Sequence, residues 1–161
     1  MSPIQREKLT SPSASHLQFC YPQHQHQHYM LDKLIAMATR TIISNTIALL
    51  IFILYIMAGQ AHFISRLTPG LAANIEAMTP NSHAAFHFLK LDYTTIKRLF
   101  GAFDLAAAAL LVSRTTRTAG LCLAVLGFSG GLYGQLYAGD DIGQVGALLF
   151  LAVVGLVLRM R

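Results

Sequence analysis

Charge is what this sequence has least of. Lys, Arg, Asp and Glu make up 12% of its 161 residues, where an ordinary soluble domain carries about 25%. Water is therefore a poor candidate for its main solvent. Cysteine is nearly absent too, since Cys20 and Cys122 are too few and too far apart to frame a disulfide scaffold or a zinc site. Cys122 lies inside an apolar block and reads as a small packing residue. No cleaved signal sequence is expected, because the first apolar block begins near Thr41 and is too long for an h-region.

What is present is apolar and clustered. Apolar residues make up 54% of the chain and mean hydropathy is +0.50, with the apolar residues gathered into blocks rather than spread at core-forming intervals. Residues 41–61 contain no charge over 21 positions, enough helix at about 1.5 Å per residue to cross a hydrocarbon core of about 30 Å. Residues 99–113 alone would reach only about 22 Å, so the second helix is extended back to 94, with Lys97 and Arg98 snorkelling to the headgroups; the alternative is a short, tilted or re-entrant helix. The turn from Arg114 to Arg117 leads to a helix over 118–138, and Gly139-Asp140-Asp141 leads to another over 142–158. Turns this short join antiparallel neighbours. The expected fold is thus an all-α membrane protein, a four-transmembrane-helix antiparallel bundle over 37–161 behind a disordered tail over 1–36. Gly127, Gly130, Gly131 and Gly134 predict a face of the third helix that packs closely on a neighbour, with Gly143, Gly146 or the alanine run 106–109 as its partner.

The tail is rich in Ser, Pro, Gln and His and ends in the alternating stretch His24 to His28. It reads as low complexity rather than as a metal site. The net charge of +5 comes from Lys and Arg placed singly or in pairs beside apolar blocks, the position of membrane anchors rather than of a nucleic-acid surface. Four crossings put Lys33, Arg40, Arg114, Arg117, Arg159 and Arg161 on one side, and Arg66, Lys90, Lys97 and Arg98 on the other. Six basic residues against four favour cytoplasmic termini. The lipid bilayer is the expected partner, joined by a membrane protein, a second copy of the chain or a lipophilic small molecule.

The connection from His62 to about Tyr93 is long for a turn, which points to function or a local element. Pro69-Gly70 predicts a turn, 71–78 a short helix stopping before Pro80, and 82–91 an apolar segment capping the bundle. His83 and His87, four apart, would share a helical face. Asp104 is the leading candidate, because a carboxylate inside an apolar span is costly and suggests function. His62, His87, Tyr133 and Gln135 are its expected partners. His62 and Asp104 are read as an acid–base pair, and Gln60, His83, His87, Tyr133 and Gln135 as binding residues. The competing reading gives Asp104 a packing role, bonded to a Tyr or Gln of the third helix. His62, His83, His87 and Asp104 are suitable ligand types for zinc or iron, but their scattered spacing assigns no metal, and no cofactor is identified.

Three segments resemble a known pattern: Ala58-Gly59-Gln60-Ala61-His62-Phe63, then Thr79-Pro80, then Gly101-Ala102-Phe103-Asp104. Their order is similar to that of the DoxX-like family of small four-helix membrane proteins, in which Glu is more usual where Asp104 stands. The resemblance covers about 41–158 and implies an accessory or redox-associated membrane subunit. The alternative is a small membrane-embedded enzyme, of oxygenase or isomerase type, acting on a lipophilic polyketide or terpenoid with Asp104 and His62 as acid and base.

Overall fold

The structure, a computed structural model, describes residues 22–64 and 66–160, with side chains from His28 onward. Its order is α1 (Pro22–Phe63), α2 (Pro69–Ala85), a short 3-10 turn (His87–Leu89), α3 (Tyr93–Val112), α4 (Arg117–Ala138) and α5 (Gly143–Met160). The described residues contain helices and no strand. They fall into two compact units, one ending at Ala38 and one running from Thr39.

Three helices are long and apolar enough to cross a membrane: His28–Phe63 within α1, α4 and α5. Helix α3 has the length but not the apolarity, because every 18-residue stretch of its 20 residues contains Lys97, Arg98 and Asp104. The expected count of four therefore stands at three by length and composition.

Helix α1 begins well before the expected boundary at 36. Pro22 stands at its first position, where a missing N–H costs nothing. Once the uncharged run of 41–61 is helical, each residue added ahead of it gains a hydrogen bond without a new nucleus. The expected disorder of 1–21 lies outside the described residues, and that of 22–36 is replaced by helix.

Helix α2 also departs from expectation. Pro69 opens it rather than making a turn, and Pro80 lies inside it rather than ending it. The ring removes one backbone donor, and one residue earlier Thr79 turns its hydroxyl onto the Ile75 carbonyl at 2.6 Å. Helix α3 is opened by Asp92, whose carboxylate accepts the Thr95 N–H at 3.0 Å. Helix α4 closes on Gly139 in the left-handed conformation, φ 73°, which only glycine takes without steric cost.

The second unit is built with small residues inside and large ones outside. Its buried centre includes Ala48, Ala107, Ala108, Ala124 and Ala152, together with Ile51 and Leu121. Ile42, Leu49, Leu136 and Phe150 point outward and are more than half exposed. Apolar side chains on that scale suit lipid surroundings better than water. A Cβ on Gly155 would lie 2.7 Å from Ile47, so glycine lets α5 close on α1. There Ser44 donates to the Gly155 carbonyl at 3.0 Å.

Polar contacts mark the two ends of this unit. At one end Arg117 donates to Asn45 of α1 at 2.6 Å, and Arg159 of α5 donates to the Arg114 carbonyl at 3.0 Å. At the other, Asn81 of α2 donates to Asp140 between α4 and α5 at 3.3 Å, and Lys97 of α3 meets Glu76 of α2 at 3.3 Å. Helix α3 starts at the second end and finishes at the first.

Candidate functional site

Helices α1 and α3 meet through two glycines. A Cβ on Gly59 would lie 2.8 Å from Leu105 and 3.2 Å from Asp104 Cβ. A Cβ on Gly101 would lie 2.6 Å from the Phe63 ring and 2.7 Å from His62 Cβ. Each helix thus offers a notch to the other's side chains, and the backbones approach closely. The approach sets His62 Nε2 3.7 Å from Asp104 Oδ2, with the two side chains 10% and 18% exposed. That separation is beyond a direct hydrogen bond and within reach of one bridging atom. The His62 Nδ1 is buried and has no hydrogen-bond partner among the described residues.

Both side chains open onto a cavity of about 510 Å³, within the usual range of about 300–1,000 Å³ for small-molecule sites. Three helices each turn one face toward it. Helix α2 presents Ile75, Met78, Thr79, Ser82 and, just past its end, Phe86. Helix α3 presents Leu99, Phe100, Phe103 and Asp104. Helix α4 presents Leu126 and the backbone strip Gly127, Gly130 and Gly131. The wall is apolar apart from the His62–Asp104 corner and the Thr79 and Ser82 hydroxyls, and the Thr79 hydroxyl is committed to Ile75.

Aromatic contacts stiffen the far side. Phe86 meets Phe100 and Tyr133 edge-on, each at 5.6 Å between ring centres. Tyr55 lies under the glycine strip and donates its hydroxyl to the Ala124 carbonyl at 3.2 Å. A Cβ on Gly127 would fall 2.5 Å from that hydroxyl oxygen. The strip is thus in close contact only at Gly127. At Gly130 and Gly134 an added Cβ would find its nearest neighbours at 3.8 and 3.9 Å, ordinary contact distances, so this face does not press on a neighbouring helix there.

The other sequence candidates lie elsewhere. His83 contacts the Leu91 carbonyl at 3.1 Å and the Tyr93 ring at 6.4 Å. His87 is exposed and contacts the Ala84 carbonyl at 3.0 Å. The two do not share a helical face, because α2 ends at Ala85 and His87 opens the 3-10 turn. Gln60 donates to Thr68 at 2.6 Å and leaves its Oε1 buried without a partner among the described residues. Gln135 has a buried Oε1 in the same condition. Tyr133 does not line the cavity and meets the site through the Phe86 ring.

Sequence reasoning passed over Met78, Ser82, Phe86, Phe100 and Phe103. A signal for them exists: 75, 78, 79, 82 and 86 fall on one helical face, as do 100, 103 and 104. The first face is hidden if the helix is stopped at Pro80. Among the described residues no group of three or more His, Cys, Asp or Glu is placed to hold a metal ion. A carboxyl and an imidazole at one corner of an apolar chamber can move a proton on a molecule held there. No protein-family model matches this chain, and no curated protein is significantly similar to it.

Proposed function

We propose that this chain is a multi-pass membrane protein that binds a lipophilic small molecule in its cavity and relocates a proton on it through His62 and Asp104. The observation that carries this reading is the placement of those two side chains 3.7 Å apart on a largely apolar wall. In it α3 is a fourth crossing, about 30 Å long at 1.5 Å per residue, running antiparallel to α1 and α4. The basic residues near the α3–α4 turn and at the end of α5 then put both termini in the cytoplasm.

The chemistry balances without an oxidant. On a ketone whose double bond lies one carbon away, the Asp104 carboxylate takes a proton from the intervening carbon. The freed electron pair shifts the double bonds, and Asp104 returns the proton to the far carbon. His62, across the corner from Asp104, offers its Nε2–H to the carbonyl oxygen and stabilises the charge that develops there. The product is the conjugated isomer.

The test uses the full chain in nanodiscs with a lipophilic unconjugated enone, followed by the rise of conjugated-enone absorbance. Asp104→Asn is expected to slow the rise by about 100-fold or more while the enone still binds. No acceleration over protein-free nanodiscs, or an Asp104→Asn rate equal to the parent, overturns the reading.

A second reading is favoured by one observation. The segments that resemble the DoxX-like pattern are those that interlock at Gly59 and Gly101. In this reading the chain is an accessory or redox-associated membrane subunit, and His62 and Asp104 secure the α1–α3 contact. Co-purification from mild detergent separates the two: His62→Ala and Asp104→Asn then lose a protein partner rather than a turnover.

A further inference from the structure

Two kinds of glycine occur in the second unit. At Gly59, Gly101, Gly120, Gly127 and Gly155 an added Cβ would lie within 2.9 Å of a neighbouring helix or side chain, so packing requires the missing side chain. Gly130 and Gly131 are different. Their nearest neighbours would be Phe86 Cζ at 3.8 Å and Val145 Cγ1 at 3.5 Å, ordinary contact distances for a real Cβ. Glycine weakens a helix relative to alanine, yet neither position needs it for packing, and both line the cavity. Together with Gly127 they leave a strip of bare backbone as one wall.

The remaining walls suit a particular shape. Phe86, Phe100 and Phe103 border the same space, and aromatic rings pack best on other flat π systems, offset or edge-on. A polar corner marks one end: the His62 and Asp104 side chains, 3.7 Å apart, both border the cavity. Polar groups facing an apolar chamber are normally hydrogen-bonded, so that corner calls for an oxygen function on whatever lies against it.

We infer that the cavity selects a flat, conjugated ring system carrying one oxygen function, laid against the α4 glycine strip with its oxygen toward the His62–Asp104 corner, and that Gly130 is the specificity-determining residue. This rests on the reading of the cavity as a lipophile site. A puckered, saturated molecule of equal carbon count is thicker and does not lie between the strip and the phenylalanines. A side chain at Gly130 rises into the slot and closes it first to flat rings.

The experiment compares a hydroxyphenanthrene with its fully hydrogenated counterpart, binding to the full chain in nanodiscs by calorimetry against protein-free nanodiscs. The planar probe is expected to bind about tenfold more tightly or better. Gly130→Ala and Gly130→Val should weaken it in that order, Val by about tenfold, while Gly146→Val, at a position open to space and off the cavity, changes nothing. Thermal melting checks each fold, and Gly130→Ala decides if Gly130→Val does not fold. Equal affinity for the two probes, or planar binding indifferent to Gly130 substitution, overturns the shape inference and leaves the lipophile site standing. Failure of both probes to exceed the protein-free signal overturns the inference and the site together.

Discussion

Gly101 shows how one absent side chain positions two others. Its Cβ would overlap both the Phe63 ring and His62 Cβ, so Gly101→Ala must push α1 and α3 apart. Overpacking of this kind typically costs about 1–3 kcal/mol. The expected result is a clear fall in melting temperature in detergent. Gly70→Ala, where nothing lies within 4 Å, should be neutral or add up to about 1 kcal/mol by restricting the unfolded chain. A scan in which both substitutions behave alike would contradict the notch geometry. At this scale the sequence shows residue types but not their meetings. Asp104 stands out because a carboxylate in an apolar run is costly to keep unless something there uses it, and His62 because of its pattern. Their contact depends on how far two backbones approach, which the glycines permit but do not announce. The phenylalanine walls were invisible for the same reason, since a Phe on an apolar helix faces lipid as readily as a cavity.

The elements were legible in proportion to how local their causes are. Helices α4 (Arg117–Ala138) and α5 (Gly143–Met160) follow from apolar runs bounded by short polar turns. Helix α2 was not legible past Pro80, because a proline inside a helix is tolerated only through contacts that lie elsewhere in the chain. Helix α3 depends on its two ends. At its C-terminus Arg117 donates to the Leu111 and Val112 carbonyls at 3.1 and 3.2 Å, and Thr116 donates to Leu110 at 2.8 Å. These carbonyls have no intrahelical donor, and the same guanidinium reaches Asn45. Arg117→Ala takes the donor from the part-buried Leu111 carbonyl and Asn45 Oδ1, at about 1–3 kcal/mol where such a group is left unsatisfied, while the exposed Val112 carbonyl turns to water. Arg117→Lys should recover little of the lost melting temperature, because one ammonium cannot match a planar fork spread over three acceptors. Full recovery by lysine would show that charge alone is at work there. At the N-terminus the hydrogen bonds from Thr95 hold the Asp92 carboxyl below its usual value. A depressed carboxylate stabilises the fold at pH above its unfolded value and loses that contribution as pH falls through the folded one. Acid should therefore loosen the start of α3, read as faster amide exchange at Thr95 and Ile96. Asp92→Asn, which keeps an acceptor but does not titrate, should flatten that dependence.

At the scale of the whole molecule the number of crossings turns on α3. Composition points to a membrane, and α1, α4 and α5 are apolar enough to span one. The same three charges that disqualify α3 by composition include the one at the cavity. Lys97 and Arg98 lie within its first turns, where long stems reach the headgroups, and Asp104 faces the cavity rather than lipid. The hydrogen bonds fix what each alternative requires. Asn81 of α2 bonds Asp140 of the α4–α5 turn, so those two segments share a side whatever α3 does. Arg159 bonds the Arg114 carbonyl, so the α3–α4 turn and the end of α5 share a side as well. With α4 crossing between the two turns, these sides are opposite, and in the four-crossing reading α3 connects them. Single cysteines at Ala77 and Thr115, in a chain with Cys20 and Cys122 replaced by serine, test this with an impermeant maleimide on sealed, oriented vesicles. The expected outcome is labelling from opposite faces, with Asp141→Cys reacting on the same face as Ala77→Cys. If Ala77→Cys and Thr115→Cys react from one face, α3 does not cross, and the cavity opens at a surface rather than within the bilayer. The lipophilic reading would then lose its supply route for substrate, since a molecule dissolved in lipid reaches Asp104 only if that residue lies at bilayer depth.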